Sequence, residues 1–155
     1  MPDPVLQTLC ARAGFYRGTG INHEGQTFTG SLVIRPTFGG AALWFRAEGA
    51  GAELFHEEIV LIGGTFTGGL TMTSLNTNVP AAQHFVSETA DAGGASFVTP
   101  DFDKPNMFRE RVTLGFTKDG ITYAFAWGMP GQPVEDRSSA LLRPAAGHPP
   151  ECLLA

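Results

Sequence analysis

The chain has 155 residues, room for one domain with a sizeable core, and 16% of them are charged against roughly 25% in an ordinary soluble domain. Its formal net charge is −5 with Lys104 and Lys118 as the only lysines, which leaves no electrostatic case for a nucleic-acid partner or an anionic membrane surface. No apolar run approaches the ~18 residues of a membrane span, and Met1-Pro-Asp-Pro-Val-Leu lacks the basic and apolar regions of a signal peptide. These features, with Cys10 and Cys152 read as unrelated reduced thiols, predict a cytoplasmic protein.

In chain order, Pro4 to Ala13 reads as a short helix, with Asp3 as N-cap, Pro4 in the first turn and Gly14 just past the end. Strand follows strand from there, near 14–21, 26–37, 41–49, 52–62, 68–76, 83–90, 94–99, 107–118, 121–129 and 134–143. Turn signals separate them, at Glu24-Gly25, Gly39-Gly40, Ala50-Gly51, Gly63-Gly64, Gly93-Gly94 and Asp119-Gly120. Thr99 to Asn106 is the longest loop candidate and is placed at a barrel mouth. The organisation expected is an N-terminal helical segment at 1–13, a barrel domain at 14–143 and a Pro-rich tail at 144–155, whose last leucines are candidates for docking.

Side chains alternate between faces along a strand. With Gly39-Gly40 as a two-residue turn, Ile34 faces Phe45 and Leu32 faces Ala47. One face then carries Phe28, Gly30, Leu32, Ile34, Leu43, Phe45 and Ala47. Around Asp119-Gly120 the same face pattern recurs with Phe108, Glu110, Val112, Leu114, Phe116, Tyr123, Phe125 and Trp127. So large an aromatic face must be buried, and closing the sheet on itself does this economically in a short chain. The fold class predicted is all-β, a closed up-and-down antiparallel barrel of about ten strands with a short N-terminal helix.

The candidate chemistry lies on that inner face. With Ala50-Gly51 as a two-residue turn, Ala47 faces Leu54 and Phe45 faces His56, so the inner face continues through Leu54, His56, Glu58, Val60 and Ile62. Glu110 and Tyr123 join His56 and Glu58 from the second hairpin. Buried carboxylates and imidazoles need partners. These are one another in a satisfied polar network, or a ligand oriented within an apolar cavity. Arg137 is a further candidate, to meet a ligand carboxylate from the last strand or to form an outer ion pair, because neither face of 134–143 is clearly apolar. Phe28, Leu32, Phe45, Val112, Phe116, Phe125 and Trp127 are the expected cavity lining. His56, Glu58 and Glu110 form a weak metal set, no metal is assigned, and the proximity of His148 to Cys152 reads as accidental. The chain has no Gly-x-Ser-x-Gly elbow and no phosphate-cradling glycine loop before a helix.

Three segments carry a resemblance. Gly14-Phe-Tyr-Arg-Gly-Thr-Gly20 resembles the opening strand of the calycins and is especially similar to that of nitrobindin-like proteins, with Tyr16 where Trp is usual. Phe55-His-Glu-Glu-Ile59 resembles the His-x-Glu strand of the same family, and Arg109-Glu-Arg-Val-Thr-Leu with its hairpin resembles the penultimate one. The resemblance spans roughly residues 14–143. It implies a ten-stranded barrel of the fatty-acid-binding-protein kind holding a hydrophobic small molecule. It also implies haem ligation by a His on the last strand, but alignment on Arg143 puts Asp136 there, and no His occurs between His84 and His148. The expectation is therefore a carrier of a hydrophobic small molecule without haem. The alternatives are an isomerase or cyclase using His56 or Glu110 as general base, and a packed interaction module, dimeric through a barrel edge or an outer patch around Trp44.

Overall fold

Period-two alternation over ten successive segments produces ten antiparallel strands that close on themselves. A computed structural model of the protein describes residues 3–147, 149 and 151–154. His148, weighed above beside Cys152 and as a haem ligand, lies outside the described residues. The elements are α1 (Pro4–Ala11), β1 (Gly14–Ile21), β2 (Thr27–Thr37), β3 (Gly40–Glu48), β4 (Leu54–Gly64), β5 (Leu70–Asn76), β6 (Gln83–Asp91), β7 (Gly94–Val98), β8 (Arg109–Phe116), β9 (Ile121–Gly128) and β10 (Glu135–Pro144). Each strand pairs with its neighbours in sequence, and β1 pairs with β10 to close the barrel. Among the described residues no helix is long and apolar enough to cross a membrane.

The β2–β3 and β8–β9 hairpins turn one residue earlier than their glycines suggest. Thr37 pairs with Gly40, so Phe38-Gly39 forms the turn and Leu32 faces Phe45, not Ala47. The register moves by two residues, which keeps every side chain on its expected face. In the β8–β9 hairpin Phe116 pairs with Ile121, and the Thr117 amide donates to the Gly120 carbonyl across Lys118-Asp119. The displaced glycines serve packing. A Cβ on Gly40 would stand 2.2 Å from the Ile62 carbonyl oxygen, and one on Gly120 would stand 2.1 Å from that of Leu142. Both are needed where backbones approach closely. Between β4 and β5 the turn instead lies beyond Gly63-Gly64, where the Thr65 amide donates to the Gly69 carbonyl.

The β3–β4 connection is longer than the expected two residues. The Gly49 amide donates to the Glu53 carbonyl, Ala52 sits at φ 60°, and the register shifts between Ala47 and Glu48. Leu54, expected inside, is therefore 43% exposed. His56 pairs with Ala47 and Glu58 with Phe45. This again is a displacement by two, so both polar side chains still point inward.

The barrel has two unlike halves. At one end α1, capped by Asp3 Oδ1 accepting from the Val5 amide at 2.8 Å, drops Val5 and Leu9 into the interior, where both are fully buried. They pack with Leu32, Ile34, Leu43, Val60, Ile62, Met72, Phe97, Leu114 and Ile121 in one continuous core. Aromatic and aliphatic side chains pack this half. The other half does not close.

A second, smaller cluster lies outside the sheet. Val33 and Trp44 are fully buried beneath Cys152, with Phe15, Ile59 and Leu154 packed against them. The outer patch around Trp44, weighed above as a dimer surface, is thus covered by the chain's own C-terminal segment. The Trp44 indole donates to Glu57 Oε1 at 2.8 Å, which satisfies its only polar group.

Candidate ligand cavity

The open half encloses a cavity of about 570 Å³ at the end opposite α1, in the size range of small-molecule sites. Its apolar wall is largely aromatic, with Phe28, Phe45, Phe85, Val112, Phe125 and Trp127 among the lining residues. Phe45, Tyr123 and Phe125 pack edge-on or tilted beneath it, with ring centroids 4.8 to 6.2 Å apart. Of the expected lining residues, Leu32 and Phe116 do not belong to it. Leu32 pairs with the lining Phe45 but is itself fully buried in the core. Phe116 lies near the helix end, where Arg12 stacks 5.5 Å from its ring centroid. Both are on the expected inner face, and Phe116 lies too far along the barrel axis.

The polar floor is one connected network. The Tyr123 hydroxyl donates to Glu58 Oε1, and the Ser74 hydroxyl donates to Glu58 Oε2 at 2.8 Å. The Asn76 amide nitrogen donates to Ser74 Oγ at 3.3 Å and to Gln83 Oε1 at 2.9 Å. Gln83 Nε2 donates in turn to Glu110 Oε2 at 3.1 Å. A buried carboxyl with several such donors is the paired arrangement that makes burial tolerable. Glu58 is only 3% exposed. His56 Nε2 stands 3.7 Å from Glu58 Oε2. It is buried without a hydrogen-bond partner, while Nδ1 meets the Asn78 amide nitrogen at 2.9 Å.

Burial pushes the Glu110 carboxyl above the ordinary carboxylate range. The negative charge of Glu58 adds to this, while the Gln83 hydrogen bond and His56 oppose it. A carboxyl raised in the folded state stabilises the fold fully at acid pH, and that contribution is lost as pH rises through the raised value. Glu110→Gln is therefore expected to raise the melting temperature at neutral pH by roughly 2–4 °C for a gain of about 1 kcal/mol. Near pH 4 (about the ordinary carboxyl pKa) the gain should vanish. Melting curves at both pH values check this, and an equal shift at both would refute it.

Arg137 sits at a bulge in β10, where the register with β9 shifts between Asp136 and Ser138. The bulge explains why neither face of this strand reads as apolar. Beyond it Ser138, Ala140 and Leu142 pair with the inward Phe125, Tyr123 and Ile121. Arg137 reaches the cavity rim. There its Nε donates to the Trp127 carbonyl at 3.1 Å, its Nη1 meets Glu135 at 3.3 Å, and its guanidinium stacks 4.2 Å over the Trp127 ring. Arg137 thus lines the cavity rim and is ion-paired with Glu135.

No family model and no curated protein matches this chain. Among solved structures, the crystal structure of Rv2717c from M. tuberculosis superposes with a TM-score of 0.66, covering 94% of this chain and 99% of that one at 13% identity. The likeness is one of fold.

Asp136, which aligns with the expected haem ligand, is exposed and pairs with Ala126 on the outer side of the sheet. Among the described residues no group of three or more His, Cys, Asp or Glu side chains is arranged to hold a metal ion.

Sequence reasoning missed Ser74, Asn76, Gln83, Asn78 and His23, all at the cavity. The first three had a signal. Leu70, Met72, Ser74 and Asn76 alternate along β5, and Gln83 is two residues before the inward Phe85 on β6. That parity also turns His84 outward, where it meets Thr73 Oγ1 at 3.2 Å. Asn78 and His23 come from loops at the mouth, where no strand parity applies.

Proposed function

We propose that this protein binds a small, mostly hydrophobic molecule in the open half of its barrel, as calycin-like and fatty-acid-binding-protein-like barrels do. The observation that carries the reading is the cavity of about 570 Å³, aromatic along its walls and floored by a hydrogen-bonded polar network. Aromatic walls supply most of the affinity by excluding water, and a few convergent polar groups orient the ligand. The order of the three nitrobindin-like segments and the fold shared with Rv2717c support the kinship. Asp136 at the position of the haem ligand argues for a ligand other than haem.

Trp127 lines the cavity while Trp44 lies outside the barrel wall, so the two report separately. A neutral solvatochromic dye such as Nile red is expected to brighten in the cavity and to be sensitised by Trp127. Trp127→Phe should remove most of the sensitisation and leave the dye's own brightening. Native mass spectrometry of the purified protein complements this by showing any retained molecule. A bare mass together with no dye brightening would refute the binding reading.

A further inference from the structure

We propose that the polar end of the ligand is a cationic nitrogen, so that the protein takes a lipophilic amine with Glu110, backed by Glu58, as its counter-ion. The inference rests on the binding reading above and adds the ligand's charge.

The charge inventory of the cavity carries it. Glu58 and Glu110 stand in the floor, joined through Ser74, Asn76 and Gln83, and Glu24 stands at the mouth. Arg137 is the only Arg or Lys lining the cavity among the described residues. It lies at the rim and is already held by Glu135, the Trp127 carbonyl and the Trp127 ring. A ligand carboxylate reaching the floor would meet two acidic side chains and no free cation. Like charges this close disfavour ionisation of both.

An ammonium finds the opposite. Gln83 reaches Glu110 Oε2, and Oε1 has no donor among the described residues. Phe45 and Phe125 line the cavity, and an aromatic ring attracts a cation placed over its face. His56 adds an acceptor, because its Nε2 is buried without a partner. The Asn78 amide beside Nδ1 can turn its oxygen to that nitrogen, which leaves Nε2 to accept.

The raised Glu110 carboxyl agrees with this geometry, since burial is its main cause and the charge of Glu58 adds to it. A bound ammonium would favour the ionised form. The groups facing Glu110 are Glu58 and His56 from β4 and Gln83 from β6. Amine affinity should therefore fall as the pH drops through the titration of Glu110.

The test compares three probes of one chain length: decylammonium, decanol and decanoate, each below its aggregation limit. They are titrated into the full chain by calorimetry near neutral pH. Decylammonium is expected to bind at least about tenfold tighter than decanol, a tenfold step being about 1.4 kcal/mol, with decanoate weakest. Glu110→Gln, its fold checked by circular dichroism, should remove most of the amine preference and leave decanol within about twofold. If decanol or decanoate binds the wild-type chain as tightly as the amine, the cationic inference is overturned and the cavity reading stands. An amine preference that survives Glu110→Gln also overturns it. If none of the three binds, both readings fall. The wild-type ranking decides the matter even if the variant fails to fold.

Discussion

An alanine at Gly18 is expected to destabilise the barrel by about 3 kcal/mol, the upper end for forcing extra atoms into a packed site, and to do so at the seam that closes it. Gly18 pairs with Leu142 of β10 on one side and with Gly30 of β2 on the other. A Cβ there would stand 1.9 Å from the Leu141 carbonyl oxygen and 2.9 Å from its carbon. Both atoms are backbone, so no rotamer change relieves the clash. The strands must move apart, and the β1–β10 ladder joins segments more than a hundred residues apart in sequence, the contacts with the greatest loop-closure cost. The same close approach accounts for Gly20, where a Cβ would meet the Ser139 carbonyl oxygen at 2.4 Å. Urea unfolding measures the loss, with Thr19→Ala on the exposed side of the same strand as a control expected within about 0.5 kcal/mol. Equal midpoints for the two variants would show that the seam can widen at little cost.

Removing one hydroxyl from beneath the cavity floor should have the next largest effect, since buried Tyr123 supports the lining Glu58 without lining the cavity itself. Tyr123→Phe takes a donor from Glu58, which is 3% exposed and keeps only Ser74 and the more distant His56. Hydrogen bonds to charged groups contribute about 1.5–3 kcal/mol, and a buried acceptor left without its donor keeps its desolvation penalty. The loss should fall in that range and shrink in the Tyr123→Phe, Glu58→Gln double variant, where the stranded charge is gone. Additive losses would mean the two groups do not depend on each other.

The pH dependence carries a second signature. Burial, and then the charge of Glu58, holds the Tyr123 phenol well above its ordinary range. A raised folded value means that stability is fully present below the unfolded phenol pKa of about 10 and is lost as pH rises beyond it. Tyr16, raised mainly by burial and opposed by Arg12, acts in the same direction. Melting temperatures followed from about pH 8 to 11 (across the ordinary phenol range) should fall steeply in the wild-type chain. The fall should be shallower in Tyr123→Phe, with the part due to Tyr16 remaining. An unchanged alkaline slope would refute the role of Tyr123.

Face assignment was legible in the sequence because it depends on parity alone. His56, Glu58, Glu110 and Tyr123 point inward even though the turns of the β2–β3 and β3–β4 hairpins were misplaced. Each hairpin register moved by two residues, and a step of two returns every side chain to its face. The helix was equally local, since Asp3, Pro4 and the apolar Val5 and Leu9 mark its cap and its buried stripe within a few residues. Bulges were not legible. The shifts at Ala47/Glu48 and Asp136/Ser138 arise from how a loop closes and how strands twist, and they decide where Leu54 and Arg137 point.

By itself, then, the sequence determined the strand succession, the inner face and the acidic and aromatic residues on it, because alternation and capping are read within a few residues. Only the tertiary structure decided which half of that face is filled and which is open, that the chain's end covers Trp44, and that Gly40 and Gly120 serve close packing rather than turns. A cavity is a difference between enclosed volume and the side chains that fill it. That difference depends on ten strands and a helix plug meeting at once, which no local pattern encodes.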